Sequence, residues 1–166
     1  MKLLLSKPRG FCAGVVRAID TVEKALELWG APNYVKHEFV HNRHLVQDLR
    51  EIGAIFIEDL DEVPLGARIV YSAHGVSPEI REKAKSRQLF EIDATCGLVT
   101  RVHSAVKRFA MQDYQIVLIG HKNHVEVIGT AGEAPDQTTI VESVKDVEKL
   151  NFSDEDKLFY ITQTTL

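Results

Sequence analysis

Apolar and polar positions recur with two different periods along the chain, and the changes of period mark its elements. Lys2–Ser6 is an apolar run of strand length, broken by Pro8, Arg9 and Gly10. From Gly14 to Trp29 the residues Val15, Ala18, Ile19, Val22, Ala25, Leu26 and Trp29 return at helical spacing, with Gly30 at the stop position. Tyr34–Val40 reads as extended. Asn42 is placed to cap a helix through Ile52, with Leu45, Val46 and Leu49 inward and Gly53 ending it. Strands are predicted at Ala54–Ile57 and Ala67–Tyr71 around a turn at Pro64 and Gly66. Ser77-Pro78-Glu79 has the composition of an N-cap, a first-turn proline and an early acid, opening a helix to Arg87. Leu89–Ile92 reads as strand, Leu98–Met111 as helix, and Glu126–Thr130 as a short helix. Gln115–Ile119, Thr139–Val141 and Leu158–Ile161 complete the strands. Strands alternating with helices predict an α/β fold: parallel-sheet lobes with flanking helices and right-handed crossovers.

Two features shape the expected organisation. The last strand is of a buried type, and Thr162-Gln163-Thr164-Thr165-Leu166 follows with no covering helix, so the chain is expected to be a fragment of a longer one. A faint repeat also links Phe11-Cys12-Ala13-Gly14-Val15-Val16-Arg17 to Thr95-Cys96-Gly97-Leu98-Val99-Thr100-Arg101, and at nearly the same offset His41 lies over His124. The expected division is a first lobe over residues 1–96 and a second over 97–166.

Composition narrows the field. The 166 residues are 45 % apolar and 27 % charged, with a net charge of −4, an ordinary globular mixture without the basic surface that polyanion binding needs. No apolar run approaches the ~18 residues of a spanning helix, and the apolar start is too short for a signal segment. Two cysteines make no disulfide framework. A cytoplasmic protein with no nucleic-acid or membrane partner is expected. There is no Walker A motif and no G-x-G-x-x-G, so nucleotide binding has no support.

In open parallel sheets, ligands gather outside the carboxyl ends of the strands. Cys12, His41, His74, Cys96, His121, His124 and the Thr162–Thr165 hydroxyls all follow predicted strands, so residues far apart in sequence are expected on one rim. Each cysteine precedes a helix, where the dipole favours a thiolate that can bind soft metal or act as a nucleophile. The alternative is a pair of small buried hydrophobes. A ring of histidines suits an anionic substrate that must be protonated. Glu126 is placed to relay protons, or simply to sit in the first turn of a helix, and the Thr164 and Thr165 hydroxyls could join it. His37, His44 and His103 fall inside elements and read as surface or packing residues.

Pro8-Arg9-Gly10-Phe11-Cys12-Ala13-Gly14-Val15, His41-Asn42, Ser72-Ala73-His74-Gly75-Val76, Asp93-Ala94-Thr95-Cys96, Gly120-His121 and Thr162-Gln163-Thr164-Thr165-Leu166 occur in that order. Together they closely resemble the LytB-type 4-hydroxy-3-methylbut-2-enyl diphosphate reductases, over the whole chain and about the first half of that family's length. The resemblance implies the first two lobes of a three-lobed trefoil around a [4Fe-4S] cluster with one open iron. It implies reductive removal of the allylic hydroxyl, giving isopentenyl and dimethylallyl diphosphate in the methylerythritol phosphate route to isoprenoids. An external donor such as a ferredoxin or flavodoxin would supply electrons. By motif match, Cys12 and Cys96 would be two cluster ligands, the third cysteine being absent from this chain. His41, His74 and His124 would line the diphosphate pocket, Glu126 and Thr164 would belong to the proton relay, and His124 and Thr164 would each count as both catalytic and substrate-binding. The family usually writes proline where this chain has Gly97 and Val125. The resemblance leaves two other readings: a degenerate relative that binds a diphosphate or a partner without turnover, and a thiol-dependent hydrolase on Cys12. The fragment alone is expected to be inactive.

Overall fold

The computed structural model describes residues 2–38, 42–152 and 154–166. Among the described residues seven strands form two parallel sheets. The first takes β1 (Asn33–Lys36), β2 (Ala54–Ile57), β3 (Arg68–Tyr71) and β4 (Phe90–Asp93) in the order β2-β1-β3-β4. The second takes β5 (Gln115–Ile119), β6 (Thr138–Val141) and β7 (Leu158–Thr162) in the order β6-β5-β7. Six helices accompany them: α1 (Ala13–Trp29), α2 (Arg43–Glu51), α3 (Pro78–Ser86), α4 (Gly97–Ala110), α5 (Val125–Ala131) and α6 (Val144–Val147).

The repeat has a structural counterpart. In each unit a cysteine occupies the N-cap position of a long helix, and the strand following that helix is flanked by the next two. Registers such as Val35↔Val70 and Val70↔Ile92 in the first sheet, and Ile116↔Phe159 in the second, are parallel throughout.

Strand alternation sorts the first core into two layers. Val35 and Val70 face Ala18, Val22, Ala25 and Leu26 of α1 and Leu49 of α2. Ile69 and Tyr71 face the other way, onto Leu60, Val63, Ala84 and Leu89 beneath α3. Both faces of this sheet are therefore covered, as parallel sheets require. The second core is smaller: Val106 of α4 packs with Ile116 and Ala134, and Phe159 and Ile161 of β7 border them. Its outer face is less protected, with Tyr160 74 % exposed.

Most predicted elements form within a few residues of their expected bounds. The strand at Lys2–Ser6 does not. Those residues pair with no strand, and Leu3, Leu4 and Leu5 are 76, 80 and 66 % exposed. A strand exists only through a neighbour's hydrogen bonds, and nothing among the described residues offers this run an edge. Cys12 accordingly follows an irregular segment. The stretch predicted at Tyr34–Val40 closes as strand at Lys36, because His37 turns into the left-handed region at φ 66°. Phe39, Val40 and His41 lie outside the described residues.

Candidate functional site

The chain ends of the strands deliver the polar residues. Cys12 and Cys96 are N-caps of α1 and α4, in nearly the same backbone conformation (φ −67°, ψ 160° and φ −59°, ψ 136°), and neither thiol caps its own helix. A Cβ built on Gly14 would stand 2.6 Å from the Cys96 Sγ and 3.9 Å from the Cys12 Sγ, so both thiols border one hollow that only a glycine leaves open. That hollow, about 400 Å³, is also edged by Arg17 and Arg101. Cys12 is exposed and Cys96 half-buried. Among the described residues no histidine lines the hollow.

Cys96 is well anchored. Its N–H donates to the Ala73 carbonyl at 2.9 Å, tying it to the loop that carries His74. Just before it, Asp93 accepts from the Thr95 N–H at 2.9 Å and the Thr95 hydroxyl at 2.5 Å, and Arg81 grips the other carboxylate oxygen at 2.6 Å. Burial alone would raise the Asp93 pKa, but the bonds from Thr95 and Arg81 hold it below the usual aspartate range.

Three imidazoles form a row. His74 meets His124 edge-on, with ring centroids 5.4 Å apart, and meets His37 the same way at 5.9 Å. His124 caps α5: its Nδ1 accepts the Glu126 N–H at 3.2 Å. That bond requires an unprotonated Nδ1, so in the neutral ring the proton sits on Nε2. His37 is held at Nδ1 by Glu58, 2.8 Å away. Cationic or donor groups in such a row suit an anion rich in oxygens.

Behind His124 lies Glu126, 1 % exposed. Its two carboxylate oxygens accept the Thr164 N–H at 2.5 Å and the Thr164 hydroxyl at 3.0 Å, which join the end of β7 to the start of α5. Gln163, 4 % exposed, completes the junction by accepting from the His121 N–H at 3.1 Å and donating to the Thr165 hydroxyl at 2.7 Å.

The structure thus pairs Cys12 with Cys96, His74 with His124, and Glu126 with Thr164, while His121 is exposed beside Gln163. His44 lies exposed on α2. Sequence reasoning missed two members. His37 stands at the carboxyl end of β1, where the strand-end rule would have found it had the strand not been drawn on to Val40. Gln163 carried no signal of its own.

Residues 3–166 match the model of the family described as LytB protein. The chain belongs to the LytB family. It is 80 % identical over its whole length to the 4-hydroxy-3-methylbut-2-enyl diphosphate reductase of Protochlamydia amoebophila, covering 53 % of that protein. It is 66 % identical over 99 % of its length to the same-named protein of Chlamydia felis, again covering 53 %. The solved E-1-hydroxy-2-methyl-but-2-enyl-4-diphosphate reductase of Plasmodium falciparum superposes with a TM-score of 0.93 at 61 % identity, over 96 % of this chain and 50 % of that one. The chain spans about half the length of the LytB relatives it matches.

The two positions where the resemblance leads one to expect proline share one structural address. Gly97 and Val125 are each the first residue of a helix, N1 of α4 and of α5. Proline suits N1 because that N–H has no helical acceptor, but it is not needed there. The preceding residues, Cys96 and His124, have the extended conformation that a following proline would impose, and both helices begin without it.

Proposed function

We propose that this LytB chain is the first half of an iron–sulfur reductase acting on 4-hydroxy-3-methylbut-2-enyl diphosphate, with residues 1–96 and 97–166 as two of its lobes. The allylic carbon–oxygen bond breaks, two electrons and two protons enter, and water leaves, giving isopentenyl and dimethylallyl diphosphate. The carbon is reduced, and an external donor such as a ferredoxin or flavodoxin is oxidised. The setting is cytoplasmic; among the described residues no helix is long and apolar enough to cross a membrane.

The reading rests on the buried Glu126 carboxylate, held by Thr164 directly behind the histidine row. A binding-only remnant has no need of a proton donor at that place. His41, His74 and His124 would receive the diphosphate. Glu126 and Thr164 would pass a proton toward the departing hydroxyl. Cys12 and Cys96 fit two positions of a cluster's ligand set, since both sulfurs face the Gly14 hollow. The chain has no third cysteine, and no group of three His, Cys, Asp or Glu among the described residues could hold a metal ion. A cluster held there with an open iron would supply electrons and a site for the hydroxyl oxygen.

Anaerobic reconstitution with iron and sulfide, followed by iron analysis and electron paramagnetic resonance after reduction, tests this. Iron bound by the chain should be lost in both Cys12→Ser and Cys96→Ser. Iron that stays bound in either variant overturns the assignment of Cys12 and Cys96 as ligands. With a reductant and the diphosphate substrate, the chain alone should show no turnover; turnover would overturn the half-enzyme reading.

A further inference from the structure

His103 looks like a packing residue by sequence, and its surroundings argue otherwise. It lies on the inner face of α4, 7 % exposed, and its Nδ1 is 2.7 Å from the Glu133 Oε1. Lys107 holds the other Glu133 oxygen at 2.8 Å. The remaining ring atoms press into two places where side chains are missing. A Cβ on Gly75, which has φ +74°, would stand 3.2 Å from the His103 Cε1. A Cβ on Gly129 would stand 3.5 Å from the same atom and 3.6 Å from Nε2. Nε2 itself is buried and finds no hydrogen-bond partner among the described residues.

Gly75 directly follows His74, and Gly129 belongs to α5, the helix that His124 caps. The ring edge is therefore wedged between the two elements that carry the edge-on histidine pair. A buried polar ring with one nitrogen lacking a partner among the described residues is a costly filler, so its place here needs a reason. We infer that His103, aimed by Glu133, is a positioning residue that sets the spacing of His74 and His124. It acts through the backbone at Gly75 and Gly129 and touches no ligand. The inference rests on the proposed function only in treating the pair as an anion site; the positional claim stands on geometry.

The test uses the full chain, isotopically labelled, with long-range proton–nitrogen spectra of the imidazole rings. His103→Asn should shift the resonances of His74 and His124 together while the exposed His44 stays put. Glu133→Ala, which frees the ring without removing it, should move the same two rings by less and serves if His103→Asn does not fold. Glu133→Gln keeps a carbonyl acceptor for Nδ1–H and should restore both positions. A folded variant that moves neither ring, or only one, overturns the inference. Titration with inorganic diphosphate then separates the two claims. His103→Asn should weaken binding on the order of tenfold, as expected for displaced ligand groups. If the unsubstituted chain's rings ignore diphosphate, the functional reading falls, while the ligand-free shifts still decide the positional one.

Discussion

Cys12 and Cys96 begin equivalent helices in equivalent conformations, yet the structure supports them unequally. Cys96 enters α4 from strand β4, through the Asp93–Thr95 turn, with its N–H on Ala73. Cys12 enters α1 from an exposed segment with no strand behind it. The same imbalance runs through the sheets: the first has a core on each face, while the second has one small core and an exposed Tyr160. A cap residue is only as fixed as the chain that leads into it, and a repeated topology does not guarantee a repeated stability.

The largest effects should come from the cores. Leu49→Ala, at a 1 % exposed site, should cost about 2–5 kcal/mol of stability by denaturant titration. Ile116→Ala, at 0 % exposure in the thinner core, should release hydrogen-exchange protection in β5 and α4 while β1 and β3 stay protected. A single cooperative loss across both sheets would break the comparison. Next, Asp93→Ala removes the acceptor that fixes the Thr95 turn just before Cys96 and should cost about 1–2 kcal/mol, because Asp93 is partly exposed. Arg9→Ala, in the segment before Cys12, should stay within about 0.5 kcal/mol.

Acid should then weaken both units. Asp93 and Glu133 have folded pKa values below their ordinary 3.8 and 4.5, burial being outweighed by Thr95 and Arg81 in one case and by His103 and Lys107 in the other. A depressed carboxylate stabilises the fold above its unfolded pKa, and that contribution is lost as pH falls through the folded one. Denaturation midpoints should hold from neutrality to about pH 5 and decline below it. Glu133→Gln should flatten part of that decline. The smallest effect sharpens the helix comparison: Gly97→Pro and Val125→Pro should each raise stability by about 0.4–1 kcal/mol, since both N1 sites accept proline unstrained.

Helices with capped ends and apolar stripes were legible in the sequence because their signals are local. Cys12, His74, Cys96, Glu126 and Thr164 could be named as candidates because the starts of helices and the ends of strands are local too. The Leu3–Leu5 strand was not a safe inference, since an apolar run says nothing about where its pairing edge lies. The four-residue α6 is shorter than any periodicity can show. His37 was lost to a strand end misplaced by four residues, and the His103 wedge depends on two glycines far away in sequence. Position 41 lies outside the described residues.

The glycine face of α5 sets a tolerance in the machinist's sense. A Cβ on Gly132 would fall 2.6 Å from the Cβ of Ser77, a clearance smaller than a carbon atom can occupy. Ser77 opens α3, three residues after His74. One methyl group at that joint would therefore act as a shim between the end of α5 and the start of α3, with no change in the chemistry of any histidine.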